Sequence, residues 1–123
     1  MIFFTADTHF NHSNIINLCG RPFSNVIQMN ESLIKNWNSC VNDNDEIYIL
    51  GDFLFKGNGL EADNIIKRLN GKKYLVKGNH DKFIDDKNFN KKNFEWISDY
   101  YVLHYQKIKI VLFHYPIFEW DGY

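Results

Sequence analysis

An aspartate and two histidines follow the first apolar run of the chain at short intervals. The segment MIFFTADTHFNH places Asp7 directly after the run, His9 two residues later and His12 three residues after that. Burying an unpaired carboxylate or imidazole in a packed core is unfavourable, so these side chains need a partner. A divalent transition metal binds both kinds of group, and the pattern therefore indicates metal chemistry.

The other long apolar runs also end in residues that bind metals or exchange protons. These residues are Asp52, Asn79, His80, Asp81 and His114. Imidazole nitrogens combined with carboxylate and amide oxygens, without thiolates, favour Mn, Fe, Zn, Co or Ni over Ca. An aspartate among neutral ligands is suited to bridge two cations, which in such sites lie roughly 3.5–4 Å apart and clamp the oxygens of an in-line displacement.

Strands and helices alternate along the chain in a way that would bring these residues together. The predicted strands cover 2–6, 45–50 and 73–76, and the first is interpreted as buried on both faces. The predicted helices cover 13–18, an amphipathic segment capped by Ser24 or Asn25, and a segment that begins after Asn58. Such alternation predicts a mainly parallel sheet, and the carboxyl ends of parallel strands share one edge at which ligands bind.

The C-terminal part of the chain has a different pattern. Apolar runs at 100–105 and 108–113 are separated by two residues and predict a β-hairpin, whereas residues 82–98 have no clear periodicity. The fold class is therefore predicted to be α/β, with mainly parallel strands, helical crossovers and a late hairpin. At this length, one domain over 1–123 is expected.

The composition is that of a folded globular protein close to neutrality. Hydrophobic residues make up 45% and aromatic residues 17% of the 123 residues, and the net charge is -1. So small a charge argues against a general nucleic-acid binder. Neither a membrane span nor a signal peptide is recognised, and the widely spaced Cys19 and Cys40 are predicted to be buried, reduced thiols. We therefore expect a cytoplasmic protein.

Four short motifs resemble the ordered motifs of the calcineurin-like metallophosphoesterases. They are DTH at 7–9, GD at 51–52, GNHD at 78–81 and the histidine at 114. The resemblance extends over essentially the whole chain, and the stretches NHSNII, RPF and HYPIFEW are similar to a small bacterial and phage subgroup of phosphoesterases. It implies an α/β/β/α sandwich and metal-dependent hydrolysis of a phosphomonoester or phosphodiester.

The resemblance also implies how the motifs share two divalent metal ions. Asp7 and His9 would bind the first ion, Asp52 would bridge both, and Asn79 and His114 would bind the second. Manganese is the expected metal, with iron, zinc, nickel or cobalt as alternatives. A hydroxide held between the two ions would attack phosphorus.

The remaining roles concern proton transfer and substrate binding. His80 would protonate the leaving group, with Asp81 orienting its ring. Substrate contacts are expected from Asn79 and from two residues outside the motifs, Arg21 and His12. The planar guanidinium of Arg21 could clamp a phosphate or, alternatively, staple its own turn through a salt bridge.

The sequence lacks one motif of the family. Family members carry Gly-His-x-His after a further strand, and its two histidines each complete one metal site, but this sequence reaches Tyr123 without it. We therefore expect the C-terminal strands to be missing, through natural truncation or because the sequence is a fragment. His12, His104, Asp121, water or a second chain could supply the absent ligands.

The missing strands lead to two further expectations. A sheet edge left unpaired favours self-association with another chain. A truncated, inactive or weakly metal-binding remnant that serves as a binding or interaction module is the alternative to an active enzyme.

Overall fold

The computed structural model describes residues 1–122, and its central element is a four-stranded parallel sheet. The strands are β1 (Ile2–Thr5), β2 (Glu46–Leu50), β3 (Lys72–Val76) and β4 (Ile97–Ser98). They lie side by side in chain order, so that β1 and β4 are the edge strands. The parallel arrangement confirms the predicted fold class and directs the carboxyl ends of all four strands to one edge.

Three helices connect the strands, namely α1 (Ser13–Leu18), α2 (Val26–Cys40) and α3 (Gly59–Lys67). The side-chain oxygen of Asn25 caps α2 by accepting a hydrogen bond of 2.8 Å from the N–H of Gln28. Asn58 caps α3 in the same way through the N–H of Glu61, at 2.9 Å. Both caps agree with the sequence prediction. None of the helices described is long and apolar enough to cross a membrane.

The longer helices cover one face of the sheet and bury the larger of two apolar clusters. Ile34 and Trp37 of α2 and Ile66 of α3 belong to this cluster together with Ile49 of β2 and Leu75 of β3. Burial of apolar surface is the dominant favourable term in folding. This packed face therefore fixes the central strands, and with them the positions of the loops that follow.

A β-hairpin covers the opposite face of the sheet. It consists of β5 (Tyr100–Tyr105) and β6 (Ile108–Phe113), with the bounds that the sequence predicts. Leu112 of the hairpin packs against Tyr48 of β2 and Val76 of β3. Helices, parallel sheet and hairpin thus supply three layers of the expected α/β/β/α sandwich within residues 1–122.

Residues 82–98, which show no periodicity in the sequence, are held in place by hydrogen bonds that involve side chains. They form two short single-turn helices, Lys82–Asp85 and Lys91–Asn93, before β4 begins. The buried carboxylate of Asp63 in α3 accepts a hydrogen bond from the backbone N–H of Asn90 at 3.1 Å and another from the Asn93 amide. Such contacts between distant residues leave no repeating pattern in a sequence.

Two expectations about burial are wrong. Phe4 is 45% exposed, because β1 is an edge strand and is not covered on both faces. Cys19 and Cys40 are free thiols, as predicted, but both are exposed. Cys19 forms the C-cap of α1 and Cys40 is the last residue of α2, so both lie at helix ends beyond the packed turns.

Candidate metal centre

The loops that follow β1 and β2 run side by side at the carboxyl edge of the sheet. The backbone N–H of Asp7 donates to the carbonyl of Gly51, and that of His9 donates to the carbonyl of Asp52, both at 3.0 Å. The parallel pairing of the strands therefore continues beyond their ends. As a result, the side chains of the DTH and GD motifs lie opposite each other.

These loops contain an unusual backbone conformation. Within these loops, four non-glycine residues have positive φ angles, namely Asp7 (54°), His9 (54°), Asn11 (64°) and Asp52 (51°). The left-handed region is uncommon for non-glycine residues, although Asp, Asn and His adopt it more readily than others, and such conformations concentrate at functional sites. The Asn11 side chain helps to hold its loop, since its oxygen accepts from Asn30 Nδ2 at 2.7 Å and its nitrogen donates to the Lys56 carbonyl at 2.8 Å.

Asp7, His9 and Asp52 form a compact group of possible metal ligands, with one atom of each within 4.8 Å of the others. The Nε2 atom of His9 lies 3.9 Å from Asp7 Oδ1 and 3.6 Å from Asp52 Oδ2. His9 and Asp52 are buried, whereas the Asp7 side chain is 59% exposed. Burial lowers the pKa of His9, with the Asp52 carboxylate opposing it, and so favours the neutral ring that binds metals.

A second group of side chains meets at Oδ2, the same oxygen of Asp52 that faces His9. His114 Nε2 lies 3.5 Å from Asp52 Oδ2 and 3.0 Å from Asn79 Oδ1, while His114 Nδ1 lies 2.9 Å from the Leu50 carbonyl. A carbonyl only accepts, so Nδ1 carries the proton, and in the neutral ring Nε2 presents a lone pair. Three electron-pair donors then face one another, and a cation between them would satisfy all three.

His80 lies beside both groups without joining either. Its backbone N–H donates to Asp52 Oδ1 at 3.0 Å, which ties the GNHD loop to the shared aspartate. Its half-buried ring is centred 5.8 Å from the ring of His9 and lies edge-on to Phe55 at 4.9 Å. The imidazole therefore sits next to the possible metal site at a position that remains partly open to solvent.

Asp81 has a different environment from the one expected of a partner for the His80 ring. Its Oδ2 accepts hydrogen bonds from the backbone N–H groups of Asp52 and Gly78, both at 2.8 Å. Its Oδ1 accepts from Phe53 at 2.7 Å and Leu54 at 3.4 Å. Burial raises the pKa of this carboxyl, and the four N–H donors act in the opposite direction. The contacts indicate that Asp81 joins two loops of the site instead of orienting His80.

The glycines of the GD and GNHD motifs are required by close approach. A Cβ atom on Gly51 would overlap the ring of His114, and one on Gly78 would overlap the backbone nitrogen and Oδ1 of Asp52. Gly51 also has a φ of 87°, which disfavours any other residue. Both glycines thus let the neighbouring strand ends approach closely enough for His114 and the GNHD loop to contact the region of Asp52.

Arg21 contacts the backbone of the DTH loop. Its guanidinium donates to the backbone carbonyls of Thr8 at 2.7 Å and Asp7 at 2.9 Å, and lies 3.5 Å from the sulfur of Met29. This geometry corresponds to the stapling alternative, although the partners are carbonyl oxygens and not the carboxylate of a salt bridge. The expected phosphate clamp at Arg21 therefore receives no support from these contacts.

His12 is buried next to His9, and sequence reasoning missed the residue that packs against it. Its Nδ1 lies 2.9 Å from the Nδ1 of His9. Its ring stacks on Phe55, with centroids 3.8 Å apart and an angle of 20°. Burial also lowers the pKa of His12. Phe55 is 43 positions from His12 in the chain and follows no periodic pattern, so no local signal marks this contact.

The other two candidates for absent ligands make contacts elsewhere. His104 is exposed on β5, where it pairs across the hairpin with Lys109. Asp121 forms an ion pair with Lys109 at 3.1 Å. The group of ligands that the described residues assemble around Asp7 includes neither of them.

The parallel sheet and the side chains at its carboxyl edge define an α/β protein with a candidate metal site at that edge. The sequence matches the calcineurin-like phosphoesterases over residues 1–123, and the chain belongs to this family. The family is metal-dependent, which agrees with the Asp7, His9 and Asp52 group.

Two relatives extend beyond the length of this chain. It is 42% identical over 116 residues to the uncharacterized protein MJ1445 of Methanocaldococcus jannaschii, covering 94% of this chain and 58% of that protein. The crystal structure of AQ665 from Aquifex aeolicus, described as a protein of unknown function, superimposes with a TM-score of 0.76 at 37% identity. That match covers 94% of this chain and 61% of AQ665. The chain thus spans about three fifths of each relative.

Proposed function

We propose that this protein hydrolyses a phosphomonoester or phosphodiester at a centre of two divalent metal ions. Asp7, His9 and Asp52 would hold one ion, and Asp52, Asn79 and His114 would hold the other. Manganese suits this mixture of nitrogen and oxygen ligands, as do iron, zinc, nickel and cobalt. Such ions lower the pKa of bound water, so that a nucleophile forms near neutral pH, and they withdraw charge from a phosphoryl oxygen.

The observation that carries this proposal is that the imidazole nitrogens of His9 and His114 both lie close to the same carboxylate oxygen of Asp52. Its Oδ2 lies 3.6 Å from His9 Nε2 and 3.5 Å from His114 Nε2. Each group would supply three protein ligands, the number that catalytic metal sites commonly use while leaving a position for water or substrate. These two groups of three ligands would therefore be sufficient for catalysis. We favour an active enzyme over the alternative of an inactive binding module for this reason.

His80 is the proposed general acid. Its backbone is fixed by the hydrogen bond to Asp52, and its ring is half-buried beside His9. A ring in this position would hold a proton and donate it to the oxygen of the leaving group. Asn79, which is exposed beside His114, is the neighbouring residue that we propose to contact the substrate as well as a metal.

Replacing His80 with alanine tests the proposed function. With Mn²⁺ and an aryl phosphodiester or phosphomonoester as substrate, kcat should fall by about 10²–10⁴-fold, because the acid is lost. Calorimetry should give an unchanged affinity for Mn²⁺, since the His80 side chain is not a proposed ligand. His104→Ala, on the exposed hairpin, is the matched control and should retain wild-type kcat. Equal rates for the wild-type and His80→Ala proteins would remove His80 from the mechanism.

We also propose that the free edge of β1 pairs with a second copy of the chain. This edge adjoins an apolar groove of about 230 Å³ that is lined by Met1, Ile2, Phe4, Leu103, Tyr105 and Ile110. An exposed apolar edge strand is a template for pairing with another strand. Light scattering after size exclusion should show a dimer that increases with concentration and is weakened by Phe4→Lys. A strict monomer at high concentration would contradict this assignment.

The two free thiols support a reducing, cytoplasmic setting for the protein. Cys19 and Cys40 are exposed and unpaired, and exposed thiols persist in reduced form where glutathione and thioredoxin maintain them. The substrate partner is proposed to be a phosphate ester, and the net charge of -1 still argues against a general nucleic-acid partner.

A further inference from the structure

We propose that His12 positions His9 for metal binding, and that Phe55 holds the His12 ring in place for this task. The inference deepens the proposed function, because it rests on His9 being a metal ligand. It assigns His12 a role different from the substrate contact or replacement ligand that the sequence suggests.

The contact between the two rings determines which nitrogen of His9 can face a metal. Only one proton fits between the Nδ1 atoms of His9 and His12, which are 2.9 Å apart, so one ring donates and the other accepts. His9 Nε2 faces Asp7 and Asp52. Metal binding at Nε2 leaves the proton of the neutral ring on Nδ1, and His12 then provides the acceptor for it.

Burial makes this acceptor important. His9 and His12 are each only 8% exposed, so water has little access to replace a lost partner. A buried N–H without an acceptor carries a desolvation penalty. Without His12, the metal-bound form of His9 would carry that penalty, whereas a tautomer with the proton on Nε2 would place a hydrogen where the metal should bind.

Phe55 restrains the orientation of His12 and also contacts the proposed acid. Its ring stacks on His12 at 3.8 Å and lies edge-on to His80 at 4.9 Å, with an interplanar angle of 76°. Rings in such arrangements stabilise each other beyond their area of contact. One aromatic side chain thus fixes the plane of the ring that supports His9 and limits the movement of His80.

The test compares His12→Ala with His12→Asn, whose side-chain oxygen can accept in place of Nδ1. Calorimetric titration with Zn²⁺, which is diamagnetic, should show about 10–100-fold weaker binding for His12→Ala. His12→Asn should recover most of the lost affinity. Phe55→Leu should weaken binding by a smaller factor, about 2–10-fold. His104→Ala serves as the control with wild-type affinity.

A spectroscopic measurement separates positioning from a general loss of structure. In the Zn²⁺-loaded wild-type protein, NMR should detect a slowly exchanging proton on His9 Nδ1 that is retained in His12→Asn and lost in His12→Ala. Equal Zn²⁺ affinity of His12→Ala and wild type would overturn the positioning role while leaving the metal site intact. If the wild-type protein bound neither Zn²⁺ nor Mn²⁺, the proposed function itself would fail.

Discussion

Replacing Asp52 with asparagine should abolish the stabilisation of this protein by divalent cations and leave its fold intact. Within residues 1–122, Asp52 is the one carboxylate that faces both His9 and His114. Asparagine has nearly the same shape and can still accept the hydrogen bond from the His80 N–H through its oxygen. It lacks the negative charge, and its amide nitrogen would direct hydrogens toward the two imidazoles.

Thermal unfolding with and without Mn²⁺ measures this effect without relying on activity. At a cation concentration 100 times its Kd, the wild-type protein should gain about 2.7 kcal/mol, which corresponds to roughly 10 °C in Tm. Asp52→Asn should show no shift and no detectable hydrolysis. Asp121→Asn, which removes a carboxylate paired with Lys109, should keep the wild-type shift. An equal shift in Asp52→Asn would exclude Asp52 as a shared ligand.

Asp81→Asn should be the most damaging conservative change for stability. The two oxygens of Asp81 accept four backbone hydrogen bonds. In asparagine an NH₂ group replaces one of these oxygens, and because it is itself a donor, it cannot accept from the two N–H groups that point at it. Leaving two buried N–H groups without an acceptor should lower the free energy of unfolding by about 2–4 kcal/mol. Urea denaturation of the metal-free protein is the appropriate measurement.

Asp85→Asn is the matched control, since the same change is made at an exposed carboxylate four residues further along. Its free energy of unfolding should remain within about 0.5 kcal/mol of wild type. If Asp81 acted by orienting the His80 ring, Asp81→Asn would unfold like this control and lose only kcat. The measurement therefore distinguishes the two roles.

Local signals predicted most of the secondary structure. The side-chain caps at Asn25 and Asn58 and the apolar runs of β2 and β3 are short-range features, so the sequence defined these elements closely. The proximity of the candidate ligands followed from one topological rule, that parallel strands end at a common edge. His114 reaches that edge differently, because it follows an antiparallel hairpin packed on the sheet and is held by the Leu50 carbonyl.

Two roles expected from the sequence, those of Asp81 and Arg21, receive no support from the contacts of these side chains, and in both cases the contacts join separate loops of the chain. Asp81 is adjacent to His80 in sequence, but its carboxylate turns toward N–H groups that lie 27 to 29 positions away. The guanidinium of Arg21 donates to backbone carbonyls of the loop that contains Thr8 and Asp7. The backbone conformation of that loop cannot be predicted from the spacing of residues in the sequence. The left-handed backbone of Asp7 and Asp52 is a further feature that the sequence analysis did not predict, although aspartate adopts this region more readily than most non-glycine residues.

Anomalous diffraction from crystals grown with Mn²⁺ would test the central claim most directly. Two peaks are predicted at the carboxyl edge of the sheet, one bounded by Asp7, His9 and Asp52 and the other by Asp52, Asn79 and His114. If crystals in saturating Mn²⁺ showed no anomalous peak at this edge, or showed peaks only elsewhere on the molecule, the proposal that this protein is a two-metal phosphoesterase would be contradicted.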